Sequence, residues 1–499
     1  MLARLRPLAP LAAVAAVGVL LWLIFPFGFP NYDTIYMLVW GGEIADGVSP
    51  DLGAPLAPTP HPLAELFGAV TDPLGDGAVS ATMVVAYATL GSVAYLVYRL
   101  GALWFDRAIG IVAALIVLTR APFLSNGLRA YIDLPFIALS LAALVIETRR
   151  PRAGWPVLAL LALAGLLRPE AWLFSLAYLV YLLITETGWA APWIARLAPG
   201  RGKTALFEGR RQTRPPSHWF GLVGLAAAGP LLWAVFDWAT ASDPLYSFTG
   251  TRDTVETLER ETGPVDVVLY GPRRLGEVLQ WPGMVGAAAG LALCLAFLRR
   301  RAVIGTAAAV LALAAFAILG SAGLAVIPRY TMLAAAILAV FAAAGLLGWR
   351  LVEPEHPWRR PWQAVAAALA VLFVVWIPNQ ADLLDTVYED LDAQARVEDD
   401  LEALVDAGAF DRSCLPISVP NHRAVPRLAF GLELRPTDVV SVAETDQPRR
   451  GQFLEPASDF AIEHFLLDPN DPARLEVTVP PGFDRVTGND SWIVYRRCG

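Results

Sequence analysis

The sequence predicts a polytopic α-helical membrane protein that carries a small α/β domain at its C-terminal end. Three observations carry that prediction. Of 499 residues, 56% are hydrophobic and 17% are charged, whereas soluble domains hold about 45–50% apolar and about 25% charged residues. The surplus apolar surface must face something other than water. Apolar runs of about 20 residues recur along the chain, and at a rise of about 1.5 Å per residue such a run crosses a bilayer. After about residue 380 these runs stop, and short alternating segments take their place.

In chain order the apolar runs lie at about 8–28, 78–98, 108–124, 133–147, 155–168, 171–187, 219–236, 282–298, 302–322, 331–348 and 363–378. They predict about eleven transmembrane helices. The opening MLARLRPLAP precedes a run that is long for a secretory signal and lacks a clear small-residue cleavage pattern. It reads as an uncleaved first helix. The charges between runs then orient the chain. Arg4 and Arg6 precede the first run, Arg99 and Arg107 flank the turn after the second, and Arg149, Arg150 and Arg152 follow the fourth. Arg196, Arg201, Lys203, Arg210, Arg211 and Arg214 follow the sixth, Arg299 to Arg301 the eighth, and Arg350, Arg359 and Arg360 the tenth. With eleven spans all of these fall on one side, which the positive-inside rule makes cytoplasmic. The N-terminus is then inside and the C-terminus outside.

The opposite side collects another inventory: Asp33, His61, Arg120, Arg129, Asp133, Arg168, Glu170, Asp237, Asp243, Arg252 and Arg329. Arginines there run against the positive-inside bias, and charge at the edge of hydrocarbon is costly. They call for an anionic partner, and a lipid phosphate matches the planar guanidinium. Net charge is −8, a balance that excludes nucleic acid as the expected partner.

The chain divides at about residue 380 into a membrane part, 1–379, and a C-terminal part, 380–499. The latter opens with DLLDTVYEDLDAQARVEDDLEALVDAGAF, which has helical periodicity and charged faces and ends at Gly408. The segments CLPISV, VVSVAE, RLEVTV and SWIVYR follow, broken by Pro, Gly, Asn and Asp, and read as strands and turns. Cys294 lies in an apolar run, and the three cysteines have no metal-site spacing. On the outer side Cys414 and Cys498 would meet an oxidising compartment; whether they pair is left open by sequence.

The candidate chemistry gathers on that outer side. GFPNYDTIYMLVWGGEIADGVSPDLGAPLAPTPHPLAELF follows the first run and holds Asp33 and His61. LRAYIDLPFIAL holds Arg129 and places Asp133 at the start of the fourth run, GLLRPEAW holds Arg168 and Glu170, and IPRYTML holds Arg329 and Tyr330. A lone carboxylate just after a first span, a long loop with aromatics, Pro and His, and single arginines at later span ends resemble the GT-C superfamily. These are membrane glycosyltransferases that use lipid-phosphate-linked sugars. The resemblance covers residues 1 to about 380 and rests on arrangement plus short motifs.

The resemblance implies roles, and each has a plainer alternative. Asp33 would be the general base that takes the acceptor proton, or the N-cap of the helix that follows it. That helix would lie along the membrane with its apolar face. Asp133 would position the acceptor near the base, or open its own helix ahead of Pro135. Arg168 and Arg329 would hold the donor phosphate, with Tyr330 at the interface, unless Glu170 simply pairs with Arg168. His61 would contact the acceptor or steady the base, or be a plain loop residue. SDPLYSF at 242–248 would line the lipid or sugar path. Glu43, Asp46 and Asp51 read as solvated. The implied activity is inverting transfer of a sugar from a polyprenyl phosphate to a glycan, lipid or protein acceptor at a bacterial cell membrane. No cofactor is implied and no metal is supported: there is no Walker A loop, no dinucleotide fingerprint, no DxD pair among the outer candidates and no WWDYG-like segment. The competing class is a non-catalytic transporter or glycan-binding scaffold, although no repeated halves with paired broken helices mark a transporter.

Overall fold

The computed structural model describes residues 9–187, 215–467 and 475–498. The basic segment from Arg196 to Arg214, and Arg4 and Arg6, lie outside them. Sixteen helices of the bundle and its loops run α1 Ala9–Ile24, α2 Tyr32–Ala45, α3 Pro62–Thr71, α4 Gly77–Trp104, α5 Arg107–Leu118, α6 Ala121–Leu128, α7 Asp133–Arg149, α8 Trp155–Gly165, α9 Glu170–Thr187, α10 Pro216–Ala241, α11 Tyr246–Thr257, α12 Pro264–Phe297, α13 Arg299–Ser321, α14 Met332–Leu347, α15 Arg359–Val375 and α16 Ile377–Asp406.

Among the described residues five helices (α4, α10, α12, α13 and α14 with the turn before it) are long and apolar enough to cross a membrane. Two bent pairs, α5 with α6 and α15 with α16, raise that to seven, and α1 and α8 are shorter apolar helices. The count of eleven is therefore not reproduced by length and composition. Polar loops clip several runs short, and the run at 108–124 is broken in its middle. Leu11, Phe220, Val310 and Val371 are each more than half exposed on the bundle surface, the apolar belt expected of a polytopic membrane protein. At its centre stands α14, with Met332 to Gly345 wholly buried. Close approach of α12 to α14 depends on Gly290, where a Cβ would run into the Phe341 carbonyl oxygen.

The C-terminal domain follows the expected helix, which ends where Gly408 takes φ 68°. Its five-stranded mixed sheet has the order β2-β1-β3-β5-β4. Strands β1 (Ile417–Val419), β2 (Val439–Ser441) and β3 (Gly451–Pro456) run parallel, while β5 (Trp492–Arg497) pairs antiparallel with β3 and with β4 (Asp484–Gly488). The described part of RLEVTV is not a strand: Glu476 donates one backbone bond to Pro420 and the segment stays irregular. Cys414 and Cys498 are joined, Cα to Cα 5.5 Å, across a separation of 84 residues.

Helix α2 corrects another expectation. Its apolar face is not turned to lipid, since Thr34 to Gly41 are all buried within the protein. Tyr36 and Trp40 sit in the core of the C-terminal domain with Val397, Ile417, Leu428 and Trp492. The aromatic stripe i, i+4 found a protein partner instead of lipid.

Candidate functional site

The site is built where the loops of one face meet. Asn31, and not Asp33, caps α2: its side chain accepts from the N–H groups of Asp33 (2.8 Å) and Thr34 (3.3 Å). The cap is itself fixed to the turn after α6. Asn31 donates from its backbone and from Nδ2 to the Arg129 carbonyl, both at 2.8 Å, and Thr34 donates to Ala130 at 2.9 Å. Asp33 is thereby freed from capping and held in the first helical turn, where the helix dipole favours a carboxylate. Its side chain is about a quarter exposed and lies 3.4 Å from Arg329 Nη1.

Arg329 and Arg168 flank one ring. Arg168 stacks 4.1 Å over Tyr330 and Arg329 lies 5.4 Å from the same ring, with Tyr131 on its other side at 5.4 Å. Their environments differ. Arg168 donates from Nη1 to Asp133 at 2.5 Å, and from Nη2 and Nε to Glu170 at 2.7 and 3.1 Å. The plain reading of Glu170 as its partner is the observed one, and Asp133 shares the pair. Asp133 opens α7 behind the non-capping Ile132 and keeps Oδ2 without a partner. Apart from the two tyrosine rings, Arg329 meets among the described residues a single loose polar contact, to Asp33, and its buried Nε has no partner.

His61, partly buried with its Nδ1 enclosed, stands at the start of α3 beside Trp233, ring to ring 5.4 Å. Burial, then the charges of Arg168 and Arg329, push its imidazole down to about 3. It is neutral at ordinary pH, with Nδ1 open. Glu65, one turn on, is fully buried, and its Oε1 accepts from the His61 backbone at 2.9 Å. Burial, with Asp237 adding to it, pushes this carboxyl up to about 8. Arg129 donates to Gln394 of α16 at 2.9 Å and lies 6.0 Å from the Phe29 ring. It therefore stands in the wall of the site.

Sequence reasoning missed Asn31, Glu65, Tyr131 and the reach of the C-terminal domain. Asn two residues ahead of Asp33 was a readable cap signal. The others depend on long-range packing: the His422 ring packs 5.3 Å from Tyr32. Glu43 and Asp51 are also not solvated. Glu43 accepts from the Asp51 backbone at 2.7 Å, and Asp51 accepts from the Thr437 hydroxyl and N–H at 2.5 and 3.0 Å. Burial opposes ionisation of Asp51, but the Thr437 bonds outweigh it and hold the carboxyl below its usual range. SDPLYSF is divided between two jobs: Ser247 donates to buried Asp237 at 2.7 Å, and Phe248 remains two-fifths exposed.

Beneath the arginines lies an apolar cavity of about 400 Å³ between α7, α8, α9, α13 and α14. Its lining includes Ser140 and Phe174, one or two turns along the helices that open with Asp133 and Glu170, and Leu333, one turn beyond Arg329 at the start of α14. Among the described residues no group of three His, Cys, Asp or Glu side chains could hold a metal ion.

The architecture has solved counterparts. Over 98% of both chains it superposes on ArnT from Cupriavidus metallidurans bound to undecaprenyl phosphate, at TM-score 0.54 and 14% identity. The chain has the GT-C fold. The apo form of the same ArnT gives TM-score 0.50 over 97% of both chains at 13% identity. The oligosaccharyltransferase AglB from Archaeoglobus fulgidus, in complex with an inhibitory peptide and a dolichol-phosphate, covers 86% of this chain and 64% of its own at TM-score 0.44 and 12% identity. No family model and no curated protein sequence matches. At these identities the GT-C likeness is one of fold.

Proposed function

We propose that the chain is a membrane glycosyltransferase that moves a sugar from a polyprenyl-phosphate donor to an acceptor hydroxyl, with inversion at the anomeric carbon. The observation that carries this is the Asp33–Arg329 pair, a carboxylate and a guanidinium 3.4 Å apart with one buried guanidinium N–H still open. The solved GT-C structure that holds undecaprenyl phosphate supports the choice of carrier.

In this reading the acceptor O–H gives its proton to Asp33 as its oxygen bonds to the anomeric carbon from the face opposite the phosphate. The bond from that carbon to the phosphate oxygen breaks, and the lipid phosphate departs with the electron pair. Arg329 receives that charge through Nε and through the nitrogen now facing Asp33. Asp133 uses its open oxygen to accept a hydroxyl of the sugar or acceptor. In this reading Arg168, which already donates to a carboxylate from each of its three nitrogens, orients Asp133 and leaves the phosphate to Arg329. Tyr330 keeps the two guanidiniums apart, neutral His61 offers Nδ1 to the substrate side, and Arg129 fixes the wall. The carrier's first isoprene units would enter the cavity below, whose volume falls in the ligand-site range of about 300–1,000 Å³.

The test is transfer by purified protein in nanodiscs, offering a panel of polyprenyl-phosphate sugars and simple acceptors to wild type and to Asp33→Asn. Turnover by wild type alone supports the reading. Equal turnover in both moves the base to another group. Lipid-phosphate binding without turnover from any donor would favour a glycan-binding scaffold.

A further inference from the structure

Three spans are broken at one level of the bundle, and the breaks are made the same way. Between α5 and α6 the chain turns by 64°, and between α15 and α16 by 43°. Within α12 it leaves helical geometry at Gln280, φ 59°. Each break lies two residues ahead of a proline: Arg120-Ala121-Pro122, Gln280-Trp281-Pro282 and Trp376-Ile377-Pro378. A proline has no N–H and crowds the carbonyl four residues back, so each break frees backbone groups. In a bilayer freed groups need protein partners.

The three breaks supply partners to one another. Arg120, only 4% exposed, donates from Nε to Ile116 O at 3.1 Å, and from Nη1 to Leu279 O at 3.3 Å and Gln280 Oε1 at 3.0 Å. Its Nη2 donates to the Thr119 hydroxyl at 3.2 Å. Trp376 Nε1 donates to the same Gln280 oxygen at 3.2 Å, and Gln380 Nε2 to Thr119 O at 2.7 Å. No carboxylate among the described residues pairs with Arg120. Its charge sits instead against carbonyls at the ends of α5 and of the first segment of α12, where helix dipoles are negative. A non-glycine residue at positive φ is rarely kept without a reason, and here it aims the Gln280 amide between Arg120 and Trp376.

From this node three arms run to the proposed site. The α6 arm ends in the Arg129–Ala130 carbonyls that hold Asn31 and Thr34, and hence Asp33. The first segment of α12 brackets Arg329: Arg274 Nε donates to Val326 O at 2.9 Å, and its carbonyl accepts from Thr331 at 3.4 Å. The α16 arm brings Gln394 to Arg129. We propose that Arg120, acting with Gln280, is a positioning residue that fixes the angles of the three arms and so sets the separation of Asp33 and Arg329. The catalytic part of this inference rests on the proposed transferase reading; the geometric part does not.

The experiment uses the full chain in nanodiscs with Gln280→Leu, Arg120→Gln and Gln280→Glu. Spin labels at the exposed positions Val268 (Val268→Cys) and Glu389 (Glu389→Cys), in a Cys294→Ala background, report the distance between the α12 and α16 arms. Gln280→Leu is expected to broaden a narrow distance distribution and to lower kcat about tenfold per folded molecule. The donor KM should stay within about twofold. Arg120→Gln should do the same or more, and Gln280→Glu, which still accepts from Arg120, should restore both readouts. If Arg120→Gln fails to fold, Gln280→Leu alone decides. Wild-type distances and wild-type kcat in Gln280→Leu would overturn the proposal, as would losses that only track the amount of folded protein. If wild type transfers no sugar, the transferase reading fails, and the distance distribution alone upholds or overturns the node.

Discussion

Arg168 and Arg329 both approach the Tyr330 ring, at 4.1 and 5.4 Å, and they teach opposite lessons. Arg168 is closed: two carboxylates occupy its donors and its side chain is 7% exposed. Arg329 is open, about a quarter exposed, with one hydrogen-bonding contact at 3.4 Å and an idle buried Nε. A buried guanidinium bound to carboxylates through each nitrogen organises its neighbours. One left with a free donor beside a carboxylate is poised for an anion that arrives from elsewhere. The same residue type, beside the same ring, is tied to carboxylates in one case and left with an idle donor in the other.

Substitutions at the pair and around it sharpen or break that contrast. The largest effect is expected at Asp33→Asn, with transfer down by about 10²–10⁴-fold, the usual range for loss of a general base. Lipid-phosphate binding, measured by native mass spectrometry, should persist. Retained turnover would remove the base from this side of the ring. Next come the arginines themselves. Arg168→Met leaves Asp133 and Glu170 buried without a counter-charge and should lower stability by about 3–5 kcal/mol, read as a fall in melting temperature in detergent. Arg329→Gln should leave the melting temperature within a few degrees and raise the donor KM at least tenfold. If both variants lose stability alike, the distinction between closed and open arginines collapses.

The pH dependence is the third effect. Glu65 is raised in the fold, so its stabilising contribution is complete below its unfolded pKa of about 4.5 and is lost as pH rises toward about 8. His61 is lowered, so its contribution is lost as pH falls from about 6.5 toward about 3. The two oppose each other between about 4.5 and 6.5, and Glu65 acts alone from there to about 8. Melting temperature should therefore decline between pH 6.5 and 8 in wild type, and Glu65→Gln should flatten that slope. The smallest effect is at Asp51→Asn, which weakens the bonds to Thr437 and should cost about 1–2 kcal/mol. It should be seen as faster proteolysis between the loop and the C-terminal domain.

Much of this was legible in the sequence. The apolar helical bundle and the small C-terminal sheet were legible from hydropathy and from the short alternating segments, and the short motifs carried the resemblance to the GT-C fold. What was not legible shares one cause. Whether Arg168 meets phosphate or carboxylate depends on Asp133 being 2.5 Å away, a contact across 35 residues. Asp51 looked solvated because its partner, Thr437, lies 386 residues on. The span count stays at five to seven by length and composition because two apolar runs are bent at a break and others, such as Ala9–Ile24 and Trp155–Gly165, form helices shorter than the length required.

The burial of Tyr36 and Trp40 in the C-terminal domain has a consequence for biogenesis. About 350 residues separate Trp40 from Val397, the first residue of that domain against which it packs. At about 5–20 residues per second of synthesis, the helix bearing Asp33 waits roughly 20–70 s before its aromatic face is covered. Throughout that interval an apolar stripe stands uncovered beside a half-built bundle. The segment bearing Asp33 therefore reaches its final packing only after the C-terminal domain has been made.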